Sequence, residues 1–404
     1  MAGITGQGDT FDLPNYVGEL FAVTPEDTPF LSAIGGLTGG ESAEATLFQW
    51  QGYDLRDASA SRQRLEGADA PTAEARVRFN VNNVVEIHQE ALELSYTKLA
   101  ATGQYASTGS SHAGSVGING SNPVLNELDW QIQQHLKQIA RDVEKSFITG
   151  TFNNPSSNAT ARRTRGILEA TATNVSTQGT SVGTAVIEAD DESFTISAHG
   201  LSNGDAVAVS SLTGGATSVL AENTLYYVIS SATNTFKLAT KPNGSAIAFS
   251  TDGGAVVTKA TALTEAIILD LMQDVWTSGG IMESETATLM ANATLKRALT
   301  KIFITDKNYR EMSRTVGGVH VTTIETDFGT LNLMLNRHMP TSLLSVVSLE
   351  ECTPKFLPIP GKGFLFVEEL ARSGAAEKRQ IYGEIGLAYG NEKKHGKILN
   401  VKAA

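Results

Sequence analysis

The spacing of apolar and polar residues predicts one long helix over residues 123–149. Apolar side chains recur there at three- and four-residue steps, which is the period of one helical face. Pro123 suits the first helical position, and Gly150 is suited to end the helix. Charged and amide side chains, Glu144 among them, fill the remaining positions. The pattern therefore predicts a helix that packs by one side and exposes the other, including Glu144.

Residues 45–96 show instead the two-residue alternation of half-exposed strands. Phe48 and Trp50 alternate with polar residues, and Phe79 lies in a similar run further along. Between these runs, residues 53–75 are almost wholly small and polar. Compact domains seldom carry so long a loop unless it is functional or disordered. This region is therefore predicted to be a projecting β-hairpin that is closed by a long loop.

The chain before this hairpin, residues 1–44, is predicted to be an arm. Proline and glycine interrupt it at Pro25, at Pro29 and again between Gly35 and Gly40. Its apolar residues are too few to enclose a core of their own. We therefore expect the arm to bury its apolar side against another part of the structure.

Residues 174–260 differ in composition from the rest of the chain. They are rich in Thr, Ser, Ala, Val and Gly, and turn pairs such as Asn243-Gly244 and Asp252-Gly253 separate short apolar runs. Without any helical pattern between them, these runs predict a small all-β module, an immunoglobulin-like sandwich or a barrel, inserted into a host domain. The predicted strands are Phe194–Ile196, Ala206–Val209, Leu225–Ser230, Thr235–Ala239 and Ala246–Ser250.

After this module, residues 261–404 return to a mixed pattern of helices and strands. Helical spacing and strand-like runs alternate there, so the whole chain is predicted to be an α+β protein. The predicted helices are Leu263–Thr277 and Thr294–Phe303. The predicted strands are Thr288–Met290, Gly318–Thr323, Leu331–Leu335, Leu343–Leu349, Gly363–Val367, Lys378–Leu387 and Gly396–Val401.

Length, charge and cysteine content narrow the class of protein. A chain of 404 residues exceeds the usual single-domain size. The net charge of −12 argues against strong non-specific binding to phosphate backbones. The single cysteine, Cys352, allows no disulfide within the chain and fits a reducing cytosol. No apolar run approaches the roughly 18 residues that a membrane span needs, so no membrane partner is expected.

No combination of residues indicates catalysis, a cofactor or a metal. The glycines between Gly35 and Gly40 are not followed by the lysine and hydroxyl residue of a phosphate-binding loop. The histidines are isolated, and Cys352 lies in no recognisable nucleophile signature. The acidic run Asp190–Glu192 lacks the spaced ligands of a calcium loop. The sequence therefore predicts a protein that is not an enzyme.

One compact basic cluster is a candidate for contacts with DNA phosphates or with the acidic groups of a neighbouring subunit. It consists of Arg162, Arg163 and Arg165. The alternative interpretation is a solvated turn after the long helix, because short charge runs usually are solvated.

The order of these elements resembles the Hong Kong 97-type capsid fold of tailed-phage head proteins. Local motifs add to the likeness. Thr28-Pro29-Phe30-Leu31 resembles the arm of one phage major head protein subfamily, and Thr326-Asp327-Phe328-Gly329 with Asn336-Arg337 fits the same subfamily. Val367–Gly374, Lys378–Glu384 and Asn391–Ile398 complete the pattern. The likeness covers the chain except for residues 174–260, which resemble a β unit that recurs in virion proteins.

The resemblance implies a domain layout. The arm would be residues 1–44 and the extended-loop hairpin residues 45–96. Residues 97–173 would form the peripheral domain, with the spine helix 123–149, and the start of the axial domain. The inserted module would be residues 174–260, and residues 261–404 would complete the axial domain and return to the peripheral domain.

The resemblance also implies a function, namely a structural subunit that assembles into hexamers and pentamers around packaged double-stranded DNA. Its partners would be copies of itself, scaffolding protein, portal and a decoration protein, with weak non-specific contact to the DNA. The location would be the virion, and the host cytoplasm before assembly. The alternatives are an encapsulin-like bacterial compartment and, further off, a tail or adhesin protein.

The predicted hairpin loop is where contacts between subunits are expected. Some shells of this fold are locked by an isopeptide bond from a lysine in this loop, but no lysine precedes Lys98 here. Arginine cannot form that amide, but it can pair with carboxylates through two parallel hydrogen bonds. The candidate contact residues are Arg56, Asp57, Arg62, Arg64 and Glu66.

Overall fold

The structure is a computed structural model, and it describes residues 26–53, 55, 58–96, 127–280, 286–305, 323–371 and 374–403. Most of the predicted arm, the loop residues Arg56 and Asp57, and the start of the predicted long helix at Pro123 lie outside the described residues. The described chain divides into two compact units. The first draws on Ile87–Val143 and Pro358–Glu384, and the second on Thr28–Glu86, Glu144–Leu357 and Ile385–Ala404.

The described elements are mixed helices and strands, as the hydrophobic pattern predicts. The helices are α1 Pro29–Ala33, α2 Glu127–Thr149, α3 Ile167–Ala170, α4 Ala216–Val219, α5 Glu265–Thr277 and α6 Ala293–Thr300. The strands are β1 Glu41–Ser42, β2 Leu47–Tyr53, β3 Arg78–Val84, β4 Glu86–Ser95, β5 Val175–Thr177, β6 Thr180–Glu188, β7 Ser193–Thr195, β8 Ala206–Gly214, β9 Leu225–Ile229, β10 Thr235–Ala239, β11 Gly253–Lys259, β12 Thr261–Ala262, β13 Thr286–Ala291, β14 Thr323–Thr326, β15 Gly329–Leu335, β16 Leu344–Val347, β17 Thr353–Phe356, β18 Leu365–Glu369, β19 Ala376–Ala388, β20 Gly396–Leu399 and β21 Val401–Lys402.

The predicted long helix is confirmed from Glu127 to its end at Thr149. At 1.5 Å per residue its described part is roughly 35 Å long. Gly150 follows it, and its N–H still donates to the Ser146 carbonyl oxygen at 2.8 Å. The apolar face is buried towards the C-terminal end, where Val143 and Phe147 are fully covered. The prediction that Glu144 is exposed is wrong, because its side chain is completely buried.

The predicted hairpin is present as the antiparallel pair β2 and β3. The register runs from Leu47 opposite Val84 to Tyr53 opposite Arg78. The described residues between the strands contain one short 3₁₀ turn, Ala60–Arg62, and are otherwise without regular structure.

The core of the second unit is a mixed six-stranded sheet in the order β14-β15-β13-β16-β20-β5. Helices α5 and α6 pack their apolar sides on it, with Leu271 and Leu295 fully buried against strand residues such as Leu289 and Ile398. The Asn292 side chain caps α6 by accepting from the Leu295 N–H at 2.9 Å. Of the predicted strand Gly318–Thr323, only Thr323 is described, and it begins β14.

Residues 180–259 form a closed six-stranded barrel in the order β10-β7-β6-β11-β8-β9. Its interior is filled with apolar side chains, including the stacked rings of Phe194 and Phe236 at 5.4 Å. The prediction of a strand at Ala246–Ser250 is wrong, since that segment has no strand structure. Strands β6 and β11 were not predicted, and Gly253-Gly254, predicted as a turn, begins β11. A side chain at Gly253 would meet the Thr213 carbonyl oxygen at 2.4 Å, so close strand approach explains that glycine.

The barrel enters and leaves the rest of the second unit at adjacent positions. Thr180 and Lys259 are register partners at the two ends of its chain. The strand that precedes the barrel in the chain, β5, pairs with β20. The strand that follows the barrel, β12, pairs with β21, which comes directly after β20 in the chain. A further attachment lies at Asn223, whose carbonyl oxygen accepts from the Ser342 N–H at 3.1 Å and from its hydroxyl.

In the first unit, β18 pairs antiparallel with the first part of β19, from Leu365 opposite Gly383 to Glu369 opposite Arg379. The strand β4 also pairs with β19. In the second unit, the end of β19 pairs with β17, which in turn pairs with β1.

Candidate functional site

The two faces of the β2–β3 hairpin differ in chemistry. One face carries polar side chains that pair across the strands, such as Arg78 with Gln51 at 3.1 Å. The other carries Phe48, which is buried, Trp50, which is half-buried, and Phe79, which is 51% exposed. The apolar face is therefore covered at the base of the hairpin and uncovered towards its tip.

The base of the hairpin is fixed by a buried polar network that the sequence pattern did not predict. The Asn83 amide donates to the carbonyl oxygens of Leu387 at 2.7 Å and Arg165 at 3.0 Å, and its side-chain oxygen accepts from the Arg165 N–H at 2.8 Å. Glu86 accepts from the Thr164 N–H at 3.1 Å. Buried polar groups need such partners, so this network holds the direction in which the hairpin leaves the core.

The predicted contact arginines of the loop are not equivalent. Arg62 forms an ion pair with Glu74, which Arg76 also contacts at 3.2 Å. The hydrogen bond and charge of Arg62 hold the pKa of Glu74 below its usual value. Arg64 and Glu66 are exposed and have no ion-pair partner among the described residues. The loop therefore presents Arg64 to its surroundings, whereas Arg62 is engaged within its own chain.

The basic cluster after the long helix does not form one patch. The Arg165 guanidinium lies 4.5 Å from the centre of the Phe152 ring, and one of its nitrogens donates to the Tyr389 hydroxyl at 3.0 Å. Arg163 pairs through its backbone with Asn153, and its side chain is exposed. Arg162 is partly buried. Arg165 is therefore held by its own chain, and Arg163 is the exposed member of the cluster.

The arm motif Thr28-Pro29-Phe30-Leu31 is explained by the buried carboxylate of Glu144. One Glu144 oxygen accepts from the Phe30 N–H at 2.9 Å and the other from the Leu31 N–H at 2.6 Å. The Asn336 amide donates to the same carboxylate. These are the N–H groups that the first turn of α1 leaves without helical partners. Glu144 thus ties the arm to the long helix and to the end of β15.

The buried thiol and imidazole near the C-terminus are structural. Burial raises the pKa of Cys352 well above its ordinary value, so the thiol stays protonated and unreactive. Burial also lowers the pKa of His395. Its Nδ1 accepts from the Ser348 N–H at 3.3 Å, which leaves Nε2 to donate to the Tyr389 carbonyl oxygen at 2.9 Å. Among the described residues, no three His, Cys, Asp or Glu side chains are grouped as a metal site would require.

In the described part of the chain, no helix is both long enough and apolar enough to cross a bilayer.

The fold is similar to that of solved capsid proteins. It is similar to the cyanophage A-1(L) capsid asymmetric unit, with a TM-score of 0.52 at 9% identity, covering 96% of this chain and 97% of that one. The capsid of the native GTA particle gives a TM-score of 0.52 at 11% identity and covers 99% of each chain. At such identities the likeness concerns the fold alone, which is that of capsid proteins of the Hong Kong 97 type.

The family is defined by sequence. The family model of the SU10 major capsid protein matches residues 3–402, and the chain therefore belongs to this family. A major capsid protein of Escherichia phage Phieco32 is 27% identical over 143 residues, which are 35% of this chain and 34% of that protein. The chain thus spans about a third of the length of the curated relative that it matches.

Proposed function

We propose that this chain is the structural subunit of an icosahedral viral shell, built from hexamers and pentamers around packaged double-stranded DNA. The observation that carries the proposal is the match of the SU10 major capsid protein family to residues 3–402. Closed symmetry makes many weak contacts cooperative, so such a subunit needs no catalytic group. The family match favours a capsid over an encapsulin-like compartment and over a tail or adhesin protein.

Electron microscopy and light scattering of the purified chain test this proposal. We expect capsomers, closed shells or tubes, with scaffolding protein supplied where the chain alone assembles poorly. A chain that stays strictly monomeric at high concentration in the presence of scaffolding protein contradicts the proposal.

The proposed layout follows the predicted domains. Residues 1–44 act as the arm and 45–96 as the extended loop. Residues 97–173 act as the peripheral domain and the start of the axial domain. Residues 261–404 complete the axial domain and return to the peripheral domain. Residues 174–260 act as an inserted accessory module. The adjacency of Thr180 and Lys259 supports this part of the layout, because an insertion tolerated by a host fold has its ends close together.

We assign the hairpin to contacts between copies. Its loop exposes large apolar side chains, with Leu65 86% and Val77 76% accessible. Several large apolar side chains that one loop of a folded chain leaves exposed favour an interaction site there. Arg64 and Glu66 lie in this exposed loop. Arg62 would contribute to the contacts between copies through its pair with Glu74. The remaining candidates, Arg56 and Asp57, lie outside the described residues.

The proposed partners besides copies of the chain are scaffolding protein, portal and a decoration protein, with the virion as the final location and the host cytoplasm as the place of synthesis. Contact with DNA would be weak, because a net charge of −12 repels the phosphate backbone. Arg163, whose side chain is exposed, is the member of the basic cluster that could contribute to this contact, whereas Arg165 is engaged by its own chain.

A further inference from the structure

Helix α6 and the turn that follows it carry a charge opposite to that of the whole chain. From Thr286 to Thr305 the sequence has no Asp or Glu, but it has three basic residues, Lys296, Arg297 and Lys301. The whole chain has a net charge of −12. This segment is therefore a local basic surface on an acidic protein.

The three cations of this surface are not neutralised within the described residues. Arg297 and Lys301 are exposed and lie four residues apart, which places them on one face of the helix. Lys296 is half-buried, and burial lowers its pKa without a nearby carboxylate to oppose the effect. The exposed Asp270 and Asp274 of α5, which packs on the same sheet, form no ion pair with these cations in the described chain. The basic surface is therefore free to meet an anion from outside.

The outward face of α6 suits a phosphate backbone better than a protein partner. Its other fully exposed residues are Ala293 and Thr294, whereas the apolar Leu295 and Leu299 are buried in the core beneath the helix. Protein interfaces are centred on large apolar or aromatic side chains, and this face exposes none. Phosphate groups are bound by cations and hydroxyl donors, and Thr294 supplies a hydroxyl three residues before Arg297.

We propose that the outward face of α6, with Thr294, Arg297 and Lys301 and the adjoining Lys296, binds the phosphate backbone of double-stranded DNA without reading its sequence. The inference rests on the proposed function, because packaged DNA is the polyanion that such a shell encloses. It assigns the contact to a surface that is separate in the chain from the basic cluster after the long helix. Three cations bind weakly, so the total comes from repetition of the site over the shell.

Salt-dependent binding tests the contact. Labelled double-stranded DNA of mixed sequence is titrated with the full chain, followed by fluorescence anisotropy at several low salt concentrations. Arg297→Gln with Lys301→Gln should weaken binding at least about tenfold at the lowest salt, and should reduce the slope of log affinity against log salt by about two, one for each lost phosphate contact.

The matched control removes the same charge elsewhere in the second unit. Lys145→Gln with Lys241→Gln replaces two other exposed lysines and should leave the slope unchanged. Equal effects of the two double variants, or no binding of DNA by the unsubstituted chain, overturn the inference.

A gain of charge tests the same face in the opposite direction. Ala293→Lys adds a cation four residues before Arg297 and should increase the slope by about one. An unchanged slope overturns the inference even if the α6 double variant fails to fold. Polyglutamate is the second probe, and α6-dependent binding of polyglutamate that equals or exceeds the binding of DNA assigns the face to an acidic protein and overturns the inference.

Electron microscopy of the same proteins separates this inference from the proposed function. Shells formed by an unsubstituted chain whose DNA binding does not respond to the α6 substitutions overturn the inference and leave the proposed function intact. DNA binding that depends on α6 in a chain that never assembles supports the binding surface and overturns the proposed function.

Discussion

Glu144 is the residue on which the placement of the described arm depends. A buried carboxylate is costly unless its oxygens are fully hydrogen-bonded. Here the N–H groups of Phe30 and Leu31 and the amide of Asn336 all donate to it. Since both N–H groups begin a helix, the helix dipole adds to the stabilisation of the charge. The carboxylate and the arm segment therefore stabilise each other.

Glu144→Gln should destabilise the folded chain by about 1–3 kcal/mol, because a side-chain amide would then face an N–H donor. Asp142→Asn, on the exposed side of the same helix, should change stability by less than about 0.5 kcal/mol. Denaturant titration followed by circular dichroism measures both. Equal effects of the two substitutions would show that the Glu144 contacts contribute nothing specific.

His395 should make stability depend on pH. Burial lowers its pKa in the folded chain, so the unfolded chain binds a proton as pH falls through about 6.5, before the folded chain does. Acidification below about 6.5 therefore favours unfolding. The carboxylates with lowered pKa values, such as Glu351, bind protons only at lower pH and so affect stability only there.

The thermal unfolding midpoint of the unsubstituted chain should fall as the pH is lowered from about 7.5 to about 5.5, and the midpoint of His395→Gln should change less. Glutamine can still donate to the Tyr389 carbonyl oxygen through its amide, so the comparison isolates the titration. Parallel curves for the two proteins would assign the pH dependence to other groups.

At the scale of elements, the barrel is attached to the rest of the second unit at three places. The chain crosses at β5 and at β12, and Asn223 accepts from Ser342. The Leu225 N–H also donates to the Thr341 hydroxyl at 2.7 Å. A barrel with three attachments is expected to keep one orientation on its host, although its own core is separate.

Replacing residues 179–259 by a short Gly/Ser bridge should leave a soluble chain that still assembles. The bridge can be short because Thr180 and Lys259 are paired, and β5 is retained. The buried Ser342 hydroxyl loses its acceptor, at a cost of about 1–3 kcal/mol, which Ser342→Ala should partly relieve. If the shortened chain fails to fold in both forms, the barrel is part of the host core and not an inserted module.

For the whole molecule, the sequence of the loop argues against covalent joining of subunits through it. No lysine precedes Lys98, and Arg62 and Arg64 cannot form an amide with a neighbouring side chain. Each exposed ion pair contributes only about 0.2–1 kcal/mol. A shell joined in this way relies on the number of its contacts.

Mature particles boiled in denaturing detergent should therefore release single chains near 42.8 kDa. Non-covalent contacts do not survive this treatment, whereas an isopeptide bond does. Multimers that persist on the reducing gel and map to the loop would contradict the prediction.

Local pattern alone was enough to predict several elements. The long helix to Thr149, the hairpin strands on either side of the polar loop, and α5 were predicted because helical and strand periods depend on near neighbours. In the barrel, β6 and β11 were missed because their glycines and threonines give a weak period, and Gly253 resembles a turn residue until its neighbouring strand is known.

The motifs by themselves determined the family likeness, which the match over residues 3–402 confirms. Only the tertiary structure decided which polar residues are buried. The sequence places Glu144 on the polar face of a helix and Asn83 in a strand. Their hydrogen-bond partners lie far away in the chain, at Phe30 for Glu144 and at Leu387 for Asn83. The physical reason is that periodicity reports which face of an element is apolar, whereas the donors that make a buried carboxylate or amide tolerable come from elements that only folding brings together.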